Sequence, residues 1–132
     1  MDELKKITIA VSSLPKKGWW NNGIIAYHDN DMMIHGSIPD QELLKKEHKN
    51  LIETLKKYDL ETIIVPFKNE LEIDKKYDFV FMRDHFLCNK NKDIVICNMK
   101  LSERMKEGEY AVSSLKDLNY SISFLDEKCI AE

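Results

Sequence analysis

The same order of elements runs through this chain twice, and that repetition constrains its fold more than any other feature of its 132 residues. Residues from Lys6 to Ser12 alternate polar and apolar and predict a strand. A loop rich in turn residues follows, and Ile24-Ile25-Ala26-Tyr27 predicts a second short strand. A helix is expected from near Ser37 or Pro39, since serine caps and proline suits a first turn. Leu43, Leu44, Leu51, Ile52, Leu55 and Tyr58 form its apolar stripe. Glu61 to Phe67 then reads as a buried strand. The second half repeats strand, strand, helix, strand: Asp84–Cys88, Asp93–Cys97 across an Asn89–Lys92 turn, a helix capped by Ser102, and Ser121–Leu125. Met105, Val112, Leu115 and Leu118 make the second helix's apolar side. Repeated units of this kind bury their faces against one another.

The length fits one domain spanning 1–132, large enough for a true core. Acidic and basic residues interleave, and 23 acids against 20 bases leave a net charge of −3. No basic face emerges, so nucleic acid is not an expected partner. No apolar run is long enough to span a bilayer, and the first residues lack a signal-peptide core. A cytoplasmic protein with no membrane partner is the expectation. Cys88, Cys97 and Cys129 show no CxxC or zinc-like spacing, so neither a metal nor a disulfide framework is expected. Cys88 and Cys97 read as small buried hydrophobes.

The segment Phe79-Val80-Phe81-Met82-Arg83-Asp84-His85-Phe86 ends an apolar, strand-like run on an arginine and an aspartate. Taken alone, the Arg-Asp pair can simply close a strand. The segment also resembles the phenylalanine–x–arginine–aspartate stretch of the guanidino-group-modifying enzymes: arginine deiminases, amidinotransferases and dimethylarginine dimethylaminohydrolases. These share the pentein fold, five strand–strand–helix–strand modules around a pseudo-fivefold axis. The resemblance implies an α/β chain forming part of a pentein-type propeller, with about two ββαβ modules. Module one would cover about 1–76 and module two about 77–132. Asp84 would then grip a guanidinium, Phe81 would pack near the substrate's carbon end, and Arg83 would point away into an ion pair. Asp78 matches the family's aspartate or asparagine before Val-Phe, whereas Tyr77 and His85 stand where proline is common.

Arg104 resembles the arginine that opens the family's second-module helix and binds the substrate's α-carboxylate, a task suited to a forked guanidinium. A surface ion pair with Glu103 and Glu107 is the plainer reading of the same residues. Glu132 resembles the glutamate that opens the family's Glu-Gly-Gly-Asp, which binds the guanidinium and orients the catalytic histidine. The family's histidine and cysteine nucleophile have no counterparts here, and none of the local cysteines and histidines pairs as nucleophile and base. Trp19 and Trp20 read as a packing anchor.

The expected function is therefore the N-terminal part of a guanidino-group-modifying hydrolase or transferase. It would bind an arginine-like small molecule, need no cofactor, and be inactive alone. A non-catalytic binding or assembly protein is the alternative, with a homo-oligomer or complementary chain covering exposed sheet edges.

Overall fold

A computed structural model describes residues 7–19, 35 and 37–130. The expected strand at Ile24–Tyr27, Trp20, His28 and Glu132 lie outside the described residues. Strand β1 (Thr8–Ser12) pairs in parallel with β2 (Glu61–Val65), and helix α1 (Gln41–Lys57) lies between them in sequence. A short helix α2 (Asn69–Ile73) leads into two 3₁₀ turns at Tyr77–Val80 and Met82–Asp84. Strands β3 (Phe86–Cys88) and β4 (Asp93–Ile96) form an antiparallel hairpin. Two further 3₁₀ turns, Ser102–Arg104 and Glu107–Ala111, run into helix α3 (Val112–Asp117), and β5 (Ser121–Phe124) returns parallel to β4.

The two parallel pairs are built alike. The carbonyl before β1, of Ile7, accepts from Glu61 at the start of β2, and the carbonyl before β4, of Lys92, accepts from Ser121 at the start of β5. The described residues thus form a mixed α/β structure with one two-stranded and one three-stranded sheet.

Helix α1 starts later than proline and serine suggest. Asp40 is its cap, and its carboxylate accepts from the backbone of Glu42 and Leu43. Its stripe is also shallower than expected: Leu43 and Leu51 are each 50% exposed and Tyr58 76%. The three helices among the described residues end alike, with Asp59, Lys75 and Asn119 in the left-handed region. In each, the next residue's N–H reaches back to a carbonyl of the last turn: Leu60 to Leu55, Lys76 to Leu71, Tyr120 to Leu115.

The second helix is not the continuous one expected. Ser102 makes no helix cap, and only Val112–Asp117 is α-helical. Glu107 and Gly108 are pulled into the core instead, in a turn that begins with Lys106 at φ 65°.

The largest departure concerns Phe79 to His85. An alternating strand would bury every second residue, yet Phe79, Met82 and His85 are the buried ones. That spacing of three is the period of a 3₁₀ helix. The strand starts only at Phe86, and Asp84 belongs to the turn before it. Phe79, fully buried, contacts Phe67 and Tyr110 edge-to-face, and its ring lies 4.8 Å from the His85 imidazole. Around it pack Val65, Leu71, Tyr77, Ile94, Ile96, Ala111 and Leu115. Each Val, Leu, Ile or Phe side chain so withdrawn from water contributes about 1.5–3 kcal/mol. Among the described residues, no helix is long and apolar enough to cross a membrane.

Candidate functional site

Asp78, Phe81 and Asp84 recur every third residue along the turns, beside the buried row of Phe79, Met82 and His85. Backbone bonds lock that path: Phe81 donates to the Asp78 carbonyl at 2.9 Å and Asp84 to the Phe81 carbonyl at 3.0 Å. Arg104 comes across from the Ser102–Arg104 turn to meet them. Its Nη1 donates to Asp84 Oδ2 at 3.0 Å, and its Nη2 to the Asp78 carbonyl at 3.2 Å. Its Nε lies 4.0 Å from Asp78 Oδ2.

Glu107, one helical turn further on, anchors the arginine from behind. Its Oε2 accepts from Arg104 Nε and lies 3.0 Å from Nη2 as well. The plainer reading of a surface ion pair is overturned by burial: Glu107 is fully buried and the Arg104 side chain only 13% exposed. Glu103 instead offers its backbone carbonyl to Lys76 Nζ at 2.8 Å. Burial works against the Arg104 charge, but Glu107, Asp84 and Asp78 outweigh it and push its pKa up. Burial drives the Glu107 carboxyl up to about 7, although Arg104 opposes this.

His85 lies behind Glu107. Its Nε2 hydrogen-bonds the Phe79 carbonyl at 2.8 Å, and its Nδ1 stands 4.0 Å from Glu107 Oε2. Burial lowers its pKa to about 4, the Phe79 hydrogen bond opposing, so the imidazole is neutral near pH 7. Sequence reasoning gave His85 no part here and offered Glu107 only as a surface partner of Arg104. The spacing of three from Phe79 was the signal for His85.

Asp84 and Arg104 open onto a cavity of about 490 Å³, with Arg83 and Lys100 as further cations and Leu87, Cys97, Met99 and Leu101 as its apolar wall. Arg83 is 95% exposed and stands 3.6 Å from Asp84 Oδ1, in keeping with an outward ion pair. Phe81 is not among the wall residues. Its ring meets Trp19 edge-on at 5.8 Å, and Trp19 is pinned by its indole N–H to the Tyr77 carbonyl and by a reciprocal pair of bonds to Gln41. Packing is thus the observed role of Trp19.

Cys97 is the thiol nearest this chemistry, and burial pushes its pKa up. Its Sγ has the Val95 carbonyl as a weak partner, at 3.9 Å, and bonds to the Leu87 backbone as well, and among the described residues no imidazole is shown bonded to it. Cys88, expected buried, is exposed because β3 turns that residue to solvent. Among the described residues no three His, Cys, Asp or Glu side chains converge as metal ligands would.

Solved structures share this fold. AgrE bound to L-arginine superposes with a TM-score of 0.74 at 16% identity, covering 96% of this chain and 17% of AgrE. The N-terminal domain of ArgZ, a cyanobacterial arginine dihydrolase bound to its product, gives 0.73 at 19% identity, covering 96% of this chain and 42% of that domain. A dimethylarginine dimethylaminohydrolase adduct with 4-chloro-2-hydroxymethylpyridine gives 0.65 at 15%, covering 93% and 42%. The chain therefore spans less than half the length of each. No curated protein matches it by sequence. Residues 25–127, well over half of the chain, match the model of the eukaryotic N,N dimethylarginine dimethylhydrolases. That match and the shared fold bear out the resemblance to the N-terminal part of the guanidino-group-modifying enzymes, and the chain belongs to the eukaryotic N,N dimethylarginine dimethylhydrolase family of that pentein-fold superfamily.

Proposed function

We propose that this chain supplies the substrate grip of a guanidino-group-modifying enzyme acting on an arginine-like molecule. The observation that carries the reading is the meeting of Asp84 and Arg104, 3.0 Å apart, at the mouth of one cavity. An amino acid with a guanidinium at one end and a carboxylate at the other complements such a pair. It exchanges one internal ion pair for two charge-assisted contacts, each worth about 1.5–3 kcal/mol. The guanidinium goes to Asp84 and the carboxylate to Arg104, with Arg83 and Lys100 adding positive potential. Asp78 holds Arg104 in place, and Phe81 with Trp19 flanks the turn that carries Asp84.

The two parallel strand–helix–strand units are read as two ββαβ modules of a pentein-type propeller, about 1–76 and 77–132. By family resemblance Glu132 is the catalytic carboxylate. Among the described residues the thiol at the Asp84–Arg104 cavity, Cys97, has no activating partner, in keeping with a chain that grips and leaves turnover to residues elsewhere.

Calorimetric titration with L-arginine or a methylated arginine tests the reading. Binding is expected, weakened at least about tenfold by Asp84→Asn, with no citrulline formed. Equal affinity in the variant, or turnover abolished by Asp84→Ala, would refute it.

A second reading rests on exposed strand residues: Ile64 is 44%, Leu87 63% and Phe124 58% exposed. Such faces suit a non-catalytic assembly protein covered by a second copy or a complementary chain. A monodisperse monomer in sedimentation would sink that alternative.

A further inference from the structure

Resting on the reading of Arg104 as the carboxylate-binding arm, we infer that Glu107 is the positioning residue that aims this arginine and so sets selectivity for ligands bearing a carboxylate. Arg104 faces three acids, and two of them take its N–H groups directly, Asp78 Oδ2 standing off at 4.0 Å. Asp84 takes Nη1, while Glu107 faces both Nε and Nη2 from one oxygen, each at 3.0 Å. The Asp84 side chain is 27% exposed and Glu107 is fully buried, so the Glu107 contacts are the less screened by water.

This asymmetry decides what happens when a ligand's guanidinium competes for Asp84. With Glu107 in place, Arg104 yields Asp84 Oδ2 without losing its hold. Its guanidinium plane stays fixed, and Nη1 is released toward the ligand's carboxylate. Without the buried charge, Arg104 has Asp84 as its strongest partner, at the point where the ligand's guanidinium must bond. Selectivity for the carboxylate and access to Asp84 are then lost together.

The surroundings leave Glu107 little freedom to turn away. His85 Nδ1 is 4.0 Å from Oε2, and His85 is itself held by the Phe79 carbonyl. The next residue, Gly108, lies so close to His85 and Ile96 that a Cβ there would stand 2.8 Å from Ile96 Cγ2 and 3.1 Å from the His85 carbonyl oxygen. The carboxylate is delivered from a fixed backbone.

The test compares L-arginine with agmatine, the same guanidinium without the carboxylate, by titration calorimetry of the full chain. The wild-type protein is expected to prefer arginine by about tenfold or more, as one charge-assisted contact implies. Glu107→Gln is expected to reduce that preference below about twofold and to broaden or shift the Arg104 Nε–H resonance. A merely structural loss would weaken both ligands alike and leave their ratio unchanged; that result overturns the inference, as does an unaltered Nε–H resonance. Should Glu107→Gln fail to fold, Glu107→Asp carries the same test, because the shorter side chain cannot face both nitrogens. Failure of the wild-type protein to bind either ligand would instead refute the substrate-grip reading, and this inference with it.

Discussion

Arg104 Nη1 donates to Asp84 Oδ2 at 3.0 Å, an ion pair that joins the turn after Phe81 to the turn before Glu107. It brings the two residues expected to hold opposite ends of a substrate into direct contact with each other. The pair is half of a larger arrangement, since the same guanidinium neutralises the buried Glu107.

Arg104→Ala should therefore be far more costly than the loss of a surface ion pair. It leaves Glu107 buried without its cation, a situation that costs roughly 3–5 kcal/mol. Replacing both, as Arg104→Met with Glu107→Leu, should recover most of that loss, since no charge is then stranded. Urea unfolding of the single and double variants checks this, and additive losses would contradict it.

His85 and Glu107 should nearly cancel in their effect on stability versus pH. His85, lowered from 6.5 to about 4, binds fewer protons folded than unfolded. Its contribution falls as pH drops from 6.5 toward 4, by roughly 3 kcal/mol. Glu107, raised from 4.5 to about 7, binds more protons folded. Its contribution is full below 4.5 and falls by roughly the same amount as pH rises through 7. Between pH 4.5 and 6.5 the two slopes oppose. Arg104, Asp84, Asp78 and Lys76 are the charged groups that face this pair. Unfolding free energies measured from pH 4 to 7.5 should show stability rising from pH 4 to 6.5 in Glu107→Gln. A slope equal to that of wild type would count against the compensation.

Gly108→Ala should destabilise by about 1–3 kcal/mol, the usual cost of overpacking. The new methyl meets a β-branched side chain and a carbonyl already bonded to the Cys97 N–H at 2.8 Å, neither of which retreats easily. Thermal melts report the loss, and an unchanged melting temperature would mean that the turn shifts freely.

Lys75→Gly should act in the opposite direction. Lys75 is exposed and ends helix α2 at φ 55°, where a side chain costs about 1 kcal/mol and glycine nothing. A rise of a few degrees in melting temperature is expected.

The strands were readable because their cause is local. Thr8–Ser12, Glu61–Val65 and Asp93–Ile96 carry apolar, β-branched residues in short runs, although their parallel pairing was not read from the sequence. The phenylalanine, arginine and aspartate at 81, 83 and 84 were likewise enough for the family resemblance. The conformation of that segment was not readable by alternation, since Phe79, Met82 and His85 follow a period of three. Nor could the sequence place Glu107 in the core. A carboxylate there is tolerable only because Arg104 faces it, and Arg104 is oriented in turn by Asp84, twenty residues earlier. Local pattern determined which segments are strands and which residues resemble a guanidinium site. Burial of charge depends on partners brought from distant parts of the chain, so only the tertiary structure decided that Asp84, Arg104, Glu107 and His85 act as one group.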